Sequence, residues 1–188
     1  SFLVELIEAL IAEGIFPKQV RAYYAEAWKR WQARAGSAKT GFSYYEFIES
    51  VVFAYRKHIS GVRRAELWRV AEKVVAFHRI RLYRFTRDLV RRLKKKKYFL
   101  LCISHSPNSL LNHFCKRLGF DKVYGMVYEL GPLDRLTGKV VDEHLILNKG
   151  VTTRRALERE GLTLDGSIGV GDAESDIPFL ELVEKPIC

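Results

Sequence analysis

The chain has 188 residues, which is enough for one sizeable hydrophobic core or for two smaller ones. Its composition, 48% hydrophobic and 29% charged, is typical of an ordered globular protein and excludes disordered and collagen-like chains. The net charge of +10 favours anionic partners, and no apolar run approaches the roughly 20 residues that cross a bilayer, so we expect no membrane partner.

Residues 1–82 predict a helical domain, because apolar residues recur there at helical spacing and almost nothing indicates a strand. The first helix ends near Gly14, and Pro17 suits the first turn of a second helix. Ser43 and Glu46 have the spacing of a capping box that opens a third helix, and a fourth follows. Aromatic residues at helical spacing predict bundle core more strongly than a stacking platform for nucleic-acid bases. The residues concerned are Tyr23, Tyr24, Trp28, Trp31, Tyr44 and Tyr45.

A further helix, from about Tyr83, ends in the basic run 91–97, which supplies six of the positive charges. One interpretation is a nucleic-acid-binding patch, in which each phosphate contact makes binding salt-dependent. The other is a solvated helix end whose cations complement the helix dipole. We favour the second and expect no nucleic-acid partner, although a basic surface would still attract a phosphorylated substrate.

Residues 83–188 alternate short apolar runs with helical patterns, which is typical of an α/β domain with a parallel sheet. The run 98–104 predicts a buried strand. Ser106 as N-cap and Pro107 at the next position predict a helix that ends at Gly119.

The remaining elements follow the same alternation. Two short strands joined by a turn-rich loop are expected within 125–141, and a helix opened by Lys149 ends at Gly161. A second buried strand at 167–171 precedes a helix that begins near Ser175. The predicted fold class is therefore α/β, with a parallel-sheet domain after the helical one.

Three cysteines, Cys102, Cys115 and Cys188, form an odd set without C-x-x-C spacing. This pattern argues against a disulfide framework and against a zinc site, and it favours a reducing cytoplasm as the location. We expect all three to be unreactive thiols.

Polar residues follow the predicted strands at the edge where parallel sheets bind ligands. Ser104 ends the first strand, and its hydroxyl with the next N–H groups, from His105 on, predicts an anion site at a helix N-terminus. Asp172 ends another strand and is a plausible oxygen ligand for Mg²⁺. Asp176 suits either a metal-bound water or a lysine as partner. Lys149 lies where the helix dipole disfavours a cation, which suggests an anionic partner.

These segments, in this order, resemble the haloacid dehalogenase superfamily of phosphohydrolases, and within it the branch related to phosphoserine phosphatase. Residues 100–120 resemble its second motif, 148–150 its third and 169–176 its fourth. The helical first half resembles the cap domain of that family, and 83–188 its Rossmann-like core.

The resemblance implies a Mg²⁺-dependent phosphatase that acts on a small phosphomonoester. By position, Ser104 would hydrogen-bond the phosphoryl group with His105 beside it, and Lys149 would neutralise its charge. Asp172 would bind Mg²⁺, with Asp176 as the supporting acid. Phosphoserine is one candidate substrate.

One departure concerns the nucleophile. The family carries it in an Asp-x-Asp stretch on the first strand, and this sequence has no Asp-x-Asp; Asp165 precedes a glycine but lies in the wrong place. We expect a chain cut at both ends that lacks the nucleophile strand and is inactive by itself, with natural loss of the motif as the alternative. Two further hypotheses are a non-catalytic phosphate- or nucleic-acid-binding relative that uses the run 91–97, and a scaffold whose helical bundle docks a partner.

Overall fold

The computed structural model describes residues 2–34, 44–78 and 84–187. The chain divides into two compact units. One comprises residues 1–81 with 128–139, and the other comprises 82–127 with 140–188.

The first unit is mainly helical. Its described helices are α1 (Phe2–Ala12), α2 (Ala22–Arg34), α3 (Tyr44–Ile59) and α4 (Arg64–His78). The apolar stripe of α1 is buried against α4, and Leu6, Ile7 and Leu10 have no exposed surface. The four helices predicted from hydrophobic spacing are confirmed. The predicted capping box depends on Ser43, which lies outside the described residues.

The aromatic residues of this unit are divided between core and surface. Phe47 is 1% exposed, and its ring lies 5.1 Å from that of Trp28 and 6.0 Å from that of Trp31. Of the six aromatic residues predicted to form core, Tyr24 is buried and Trp31 is half-buried. The core assignment is wrong for the four that are exposed, which are Tyr23, Trp28, Tyr44 and, at 69%, Tyr45. Tyr45 precedes the buried Phe47 by two residues, and on a helix that spacing turns it to the opposite face.

A pair of short strands belongs to the helical unit although it comes much later in the chain. The strands are β3 (Tyr128–Leu130) and β4 (Leu136–Val140), which confirms the two strands expected within 125–141. The N–H of Gly61 donates to the Leu136 carbonyl at 2.8 Å, and the ring of Tyr128 lies 5.5 Å from that of Tyr55. The unit therefore differs from the predicted domain 1–82 by including 128–139.

The second unit has α/β architecture, as predicted. Its described strands form two parallel pairs, β1 (Leu101–Pro107) with β2 (Lys122–Met126), and β5 (Ile168–Val170) with β6 (Lys185–Ile187). Its described helices are α5 (Arg84–Lys95), α6 (Asn108–Leu118), α7 (Glu143–Ile146), α8 (Lys149–Glu160) and α9 (Ile177–Leu180). In the ranges that the structure describes, no helix of either unit combines the length and apolar character needed to cross a bilayer.

The start of α6 differs from the prediction. Strand β1 continues to Pro107, which pairs with Met126 of β2, so Ser106 is a strand residue and not an N-cap. The helix begins at Asn108, and no side chain caps it. Gly119 ends it with a φ of +85°, as the sequence predicts, because a left-handed residue at a helix C-terminus favours glycine.

Candidate functional site

A buried ion pair lies at the centre of the candidate site. Lys149 is the first residue of α8, and Asp176 ends the short 3₁₀ helix Glu174–Asp176 that follows β5. The Lys149 Nζ donates to Asp176 Oδ1, and the two residues are only 8% and 5% exposed. The helix dipole disfavours a cation at this end of α8, and the carboxylate offsets that cost. Of the two partners that the sequence left open for Asp176, the structure shows the lysine.

The second carboxylate oxygen of Asp176 is also engaged. Oδ2 accepts the backbone N–H of Asp172 at 3.0 Å and that of Ala173 at 3.1 Å. Burial raises the pKa of Asp176, but the hydrogen bond and charge of Lys149 and the two N–H donors outweigh it and hold the pKa below its ordinary value. Asp176 is therefore an ionised structural acid that orders the turn after β5.

Two glycines allow this close packing. A Cβ at Gly171 would lie 2.6 Å from the Asp176 Cβ, and one at Gly150 would lie 2.8 Å from the Pro178 carbonyl oxygen. Asn148 caps α8, because its side chain accepts the N–H of Val151 at 3.0 Å. Sequence reasoning missed the roles of these three residues, although an asparagine just before a helix is a recognisable cap signal.

Ser104 lies in β1 with its hydroxyl near the backbone that follows it. Its Oγ accepts the N–H of Ser106 at 3.2 Å, so this N–H is bonded to the Ser104 side chain. The helix α6 begins only at Asn108, so His105 and Ser106 do not lie at a helix start. The part of the prediction that placed their N–H groups there is wrong. The Ser104 hydroxyl keeps its proton as a donor for an anion.

His105 connects β1 with the ion pair. Burial is the largest cause of its lowered pKa, and the positive charge of Lys149 is the second. The charge of Asp176 and hydrogen bonds to the carbonyls of Ile146 and Leu147 oppose that shift. Its Nε2 is buried without a hydrogen-bond partner in the described part of the chain. The end of β1, the start of α8 and the turn after β5 therefore bring His105, Lys149 and Asp176 within electrostatic range.

Asp172 is exposed two residues beyond the end of β5, and the bond from its N–H to Asp176 fixes its backbone. The described residues contain no group of three or more histidine, cysteine or acidic residues that could hold a metal ion by itself. Magnesium commonly takes one or two carboxylates and completes its shell with water and phosphate oxygens. Asp172 fits such a one-carboxylate site, whereas both oxygens of Asp176 are already engaged.

The chemistry that this arrangement offers is recognition of an anion. The Lys149 ammonium has three N–H donors, of which Asp176 takes one. Burial strengthens the hydrogen bonds that the other two N–H donors can make, because the local dielectric is lower than that of water. The Ser104 hydroxyl, on β1, is a further hydrogen-bond donor for an anion.

The sequence of the chain resembles one family of hydrolases over most of its length. The sequence model of the haloacid dehalogenase-like hydrolases matches residues 5–181. The chain belongs to the haloacid dehalogenase-like hydrolase family. No curated protein sequence matches it significantly.

Several solved structures share the fold of this chain. A substrate-bound phosphoserine phosphatase superposes with a TM-score of 0.56 at 17% identity, over 99% of this chain and 77% of that one. A protein of unknown function from Bordetella pertussis Tohama I gives a TM-score of 0.72 at 17% identity, over 98% and 80%. A probable phosphoserine phosphatase from Vibrio cholerae gives 0.58 at 16% identity, over 97% and 50%. At these identities the likeness establishes the fold.

The basic run 91–97 lies away from these groups in sequence, at the end of α5. Lys94 forms an ion pair with Asp121 at 2.8 Å. Arg92 and Lys95 to Lys97 are exposed and have no ion-pair partner among the residues described.

Proposed function

We propose that this member of the haloacid dehalogenase-like hydrolase family takes part in the Mg²⁺-dependent hydrolysis of a small phosphomonoester. Phosphoserine is one candidate substrate. The observation that carries the proposal is the buried Lys149–Asp176 pair beside His105. One N–H donor of the Lys149 ammonium is fixed by Asp176, and its other two N–H donors suit the several oxygens of a phosphoryl group. Ser104 would donate to another of those oxygens.

Magnesium would be held by Asp172, with water and phosphate oxygens as its other ligands. When bound, it would neutralise charge on the phosphoryl group. The residues of the chain would do the rest: Lys149 and Ser104 orient the phosphoryl group, and Asp176 orders Lys149 and the backbone of Asp172.

The nucleophile in this proposal is an aspartate that forms an aspartyl-phosphate, and it is not one of the residues of this chain. No Asp-x-Asp occurs in the sequence, and Asp165 lies before β5 and not at the end of a preceding strand. In support, β1 pairs with β2 alone and β5 with β6 alone within the described ranges, so each has one edge that no described strand pairs with. We therefore expect this polypeptide by itself to show essentially no phosphomonoesterase turnover.

Two assays test the proposal. In the first, calorimetry measures the affinity for inorganic phosphate with and without Mg²⁺, and we expect Mg²⁺ to strengthen binding. Asp172→Asn should remove the Mg²⁺ effect and keep the weaker, Mg²⁺-independent binding, whereas Lys149→Met should weaken both. Asp165→Asn is the matched control, because Asp165 is exposed and should leave binding unchanged. An affinity for phosphate that changes neither with Mg²⁺ nor in Lys149→Met would contradict the proposal.

The second assay measures phosphate release from an aryl phosphate in the presence of Mg²⁺. We expect none above background. Robust turnover that Asp172→Asn abolishes would show that the chain contains its own nucleophile, and the part of the proposal that places it elsewhere would be wrong.

A second candidate function is non-catalytic binding of phosphate groups or nucleic acid through the run 91–97. The observation that favours it is the group of exposed cations without ion-pair partners in the described chain, Arg92 and Lys95 to Lys97. Fluorescence anisotropy with a single-stranded RNA would show affinity that falls steeply with salt. Replacing Lys94 to Lys97 by glutamine should abolish binding, and binding that survives this change would exclude the run as the interface.

A further inference from the structure

A pocket of about 440 Å³ opens in the helical unit, where the end of α1, the turn between α3 and α4 and the residue before β4 come together. Its volume is within the range of ~300–1,000 Å³ that is usual for small-molecule sites. All of its lining residues belong to the unit formed by residues 1–81 and 128–139. The polar side chains among them are those of Glu13, His58, Ser60, Glu66 and Arg135.

Arg135 gives the pocket a positive group that is held in place. Its Nη1 donates to the Gly61 carbonyl. The backbone of the next residue, Leu136, is hydrogen-bonded to that of Gly61 at 2.8 Å and to that of Val62 at 2.9 Å. The donors on Nε and Nη2 of Arg135 remain, and together they form the fork that pairs with a carboxylate. In the described ranges, no carboxylate lies within ion-pair distance of Arg135.

Glu66 gives the pocket a negative group. Its Oε2 accepts the backbone N–H of Arg63 at 3.4 Å, which leaves most of the hydrogen-bonding capacity of the carboxylate unused. No cation in the described part of the chain forms an ion pair with it. Glu13, the other acid of the pocket, differs because Arg69 and Lys73 already bind it at 2.7 and 2.6 Å. Glu66 is therefore the acid that remains for a cationic group of a ligand.

We propose that this pocket binds a free α-amino acid, whose carboxylate pairs with Arg135 and whose ammonium pairs with Glu66. Opposite charges that line one pocket without pairing with each other suit a ligand that carries both charges. His58 and Ser60 suit a polar ligand side chain. The Nδ1 of His58 donates to the Ala54 carbonyl at 2.8 Å, so Nε2 of the neutral ring is a hydrogen-bond acceptor. This site is additional to the proposed phosphate site, whose residues belong to the other unit.

The test uses the full chain. The common L-amino acids are screened singly by thermal shift, and the amino acid with the largest shift is titrated by isothermal calorimetry. We expect it to bind at one site per chain. Glu66→Gln and Arg135→Gln each remove one charge, and each should weaken the affinity about tenfold or more, as for other hydrogen bonds to charged groups. Glu26→Gln and Arg87→Gln, at exposed positions outside the pocket, are the matched controls and should leave the affinity unchanged.

Derivatives of the same amino acid test which group of the ligand pairs with which residue. The α-amide lacks the carboxylate charge and the N-acetyl derivative lacks the ammonium, so each should bind about tenfold more weakly or less. In Arg135→Gln the free amino acid and its α-amide should bind about equally, because the partner that distinguishes them is gone. Circular dichroism verifies that the variants are folded. Binding of no amino acid would overturn the proposal. So would binding that neither Glu66→Gln nor Arg135→Gln weakens, or full affinity of either derivative.

Discussion

Lys149 and Asp176 are 27 residues apart in sequence, yet they form a buried ion pair that joins the start of α8 to the turn after β5. Removing one member of such a pair leaves the other charge buried without compensation, and that cost exceeds the net contribution of the intact pair. The pair is therefore the first target for mutation.

We expect Lys149→Met to destabilise the protein by ~3–5 kcal/mol, because Asp176 would keep its charge without its cation. Urea denaturation measures the free energy of unfolding. Lys116→Met, at an exposed position of α6, is the matched control and should change stability by less than ~0.5 kcal/mol. Equal effects at both positions would show that the pair has no special role.

The same pair predicts a pH dependence. The folded-state pKa of Asp176 lies below the ordinary value of 3.8, so its stabilising contribution is complete above that value and is lost as the pH falls through the folded-state pKa. The stability difference between the wild type and Asp176→Asn should therefore be constant near neutral pH and narrow below about pH 4. Denaturant titrations at several pH values measure it. A constant difference for Asp176→Asn down to low pH would contradict the assignment.

Gly171→Ala tests the close approach of the backbone to Asp176. The added Cβ would lie 2.6 Å from the Asp176 Cβ, so the Asp176 side chain or the backbone of the turn must shift. We expect a loss of ~1–3 kcal/mol by thermal or urea unfolding, as for other overpacked sites. In the control Gly131→Ala the new Cβ meets a methyl group of the Thr137 side chain at 3.2 Å and the Arg135 carbonyl oxygen at 3.6 Å, so we expect a smaller loss. A tolerated Gly171→Ala would mean that the turn after β5 adapts freely.

Phe47→Ala tests the aromatic core of the helical unit. The ring is 1% exposed, and its removal should cost ~3–5 kcal/mol. The three tryptophans of the sequence, Trp28, Trp31 and Trp68, all belong to this unit, so tryptophan fluorescence reports its unfolding. Tyr45→Ala, at a 69% exposed position, should be nearly neutral. A fluorescence transition that Phe47→Ala does not shift would contradict this view of the core.

The sequence predicted the helices well because their apolar residues recur with the helical period, as in the stripe of α1. Strand β2 was not predicted, because Gly125 interrupts its pattern and glycine weakens a strand. The structure gives the reason for the glycine: a Cβ there would lie 2.5 Å from Leu111 of α6. A requirement imposed by a neighbouring helix is not visible in local propensity.

The candidate site was predictable as a set of residues but not as a set of contacts. The positions of Lys149 at the start of α8 and of Asp172 just after β5 follow from the strand and helix patterns, whereas Ser104 lies within β1 and not at its end. The choice of Asp176 as the partner of Lys149 depends on how α8 and the turn after β5 pack together. Local patterns do not determine such long-range pairings.

The helical unit is built from two segments of the chain, and this has a consequence for its synthesis. Tyr55 has no exposed surface, and Tyr128 is one of its ring neighbours, so the bundle cannot complete its core when residue 81 leaves the ribosome. Helices α1 to α4 therefore stay partly unpacked until β3 and β4 have been translated. Nascent chains halted shortly before β3 should bind chaperones more strongly than chains halted well after residue 139.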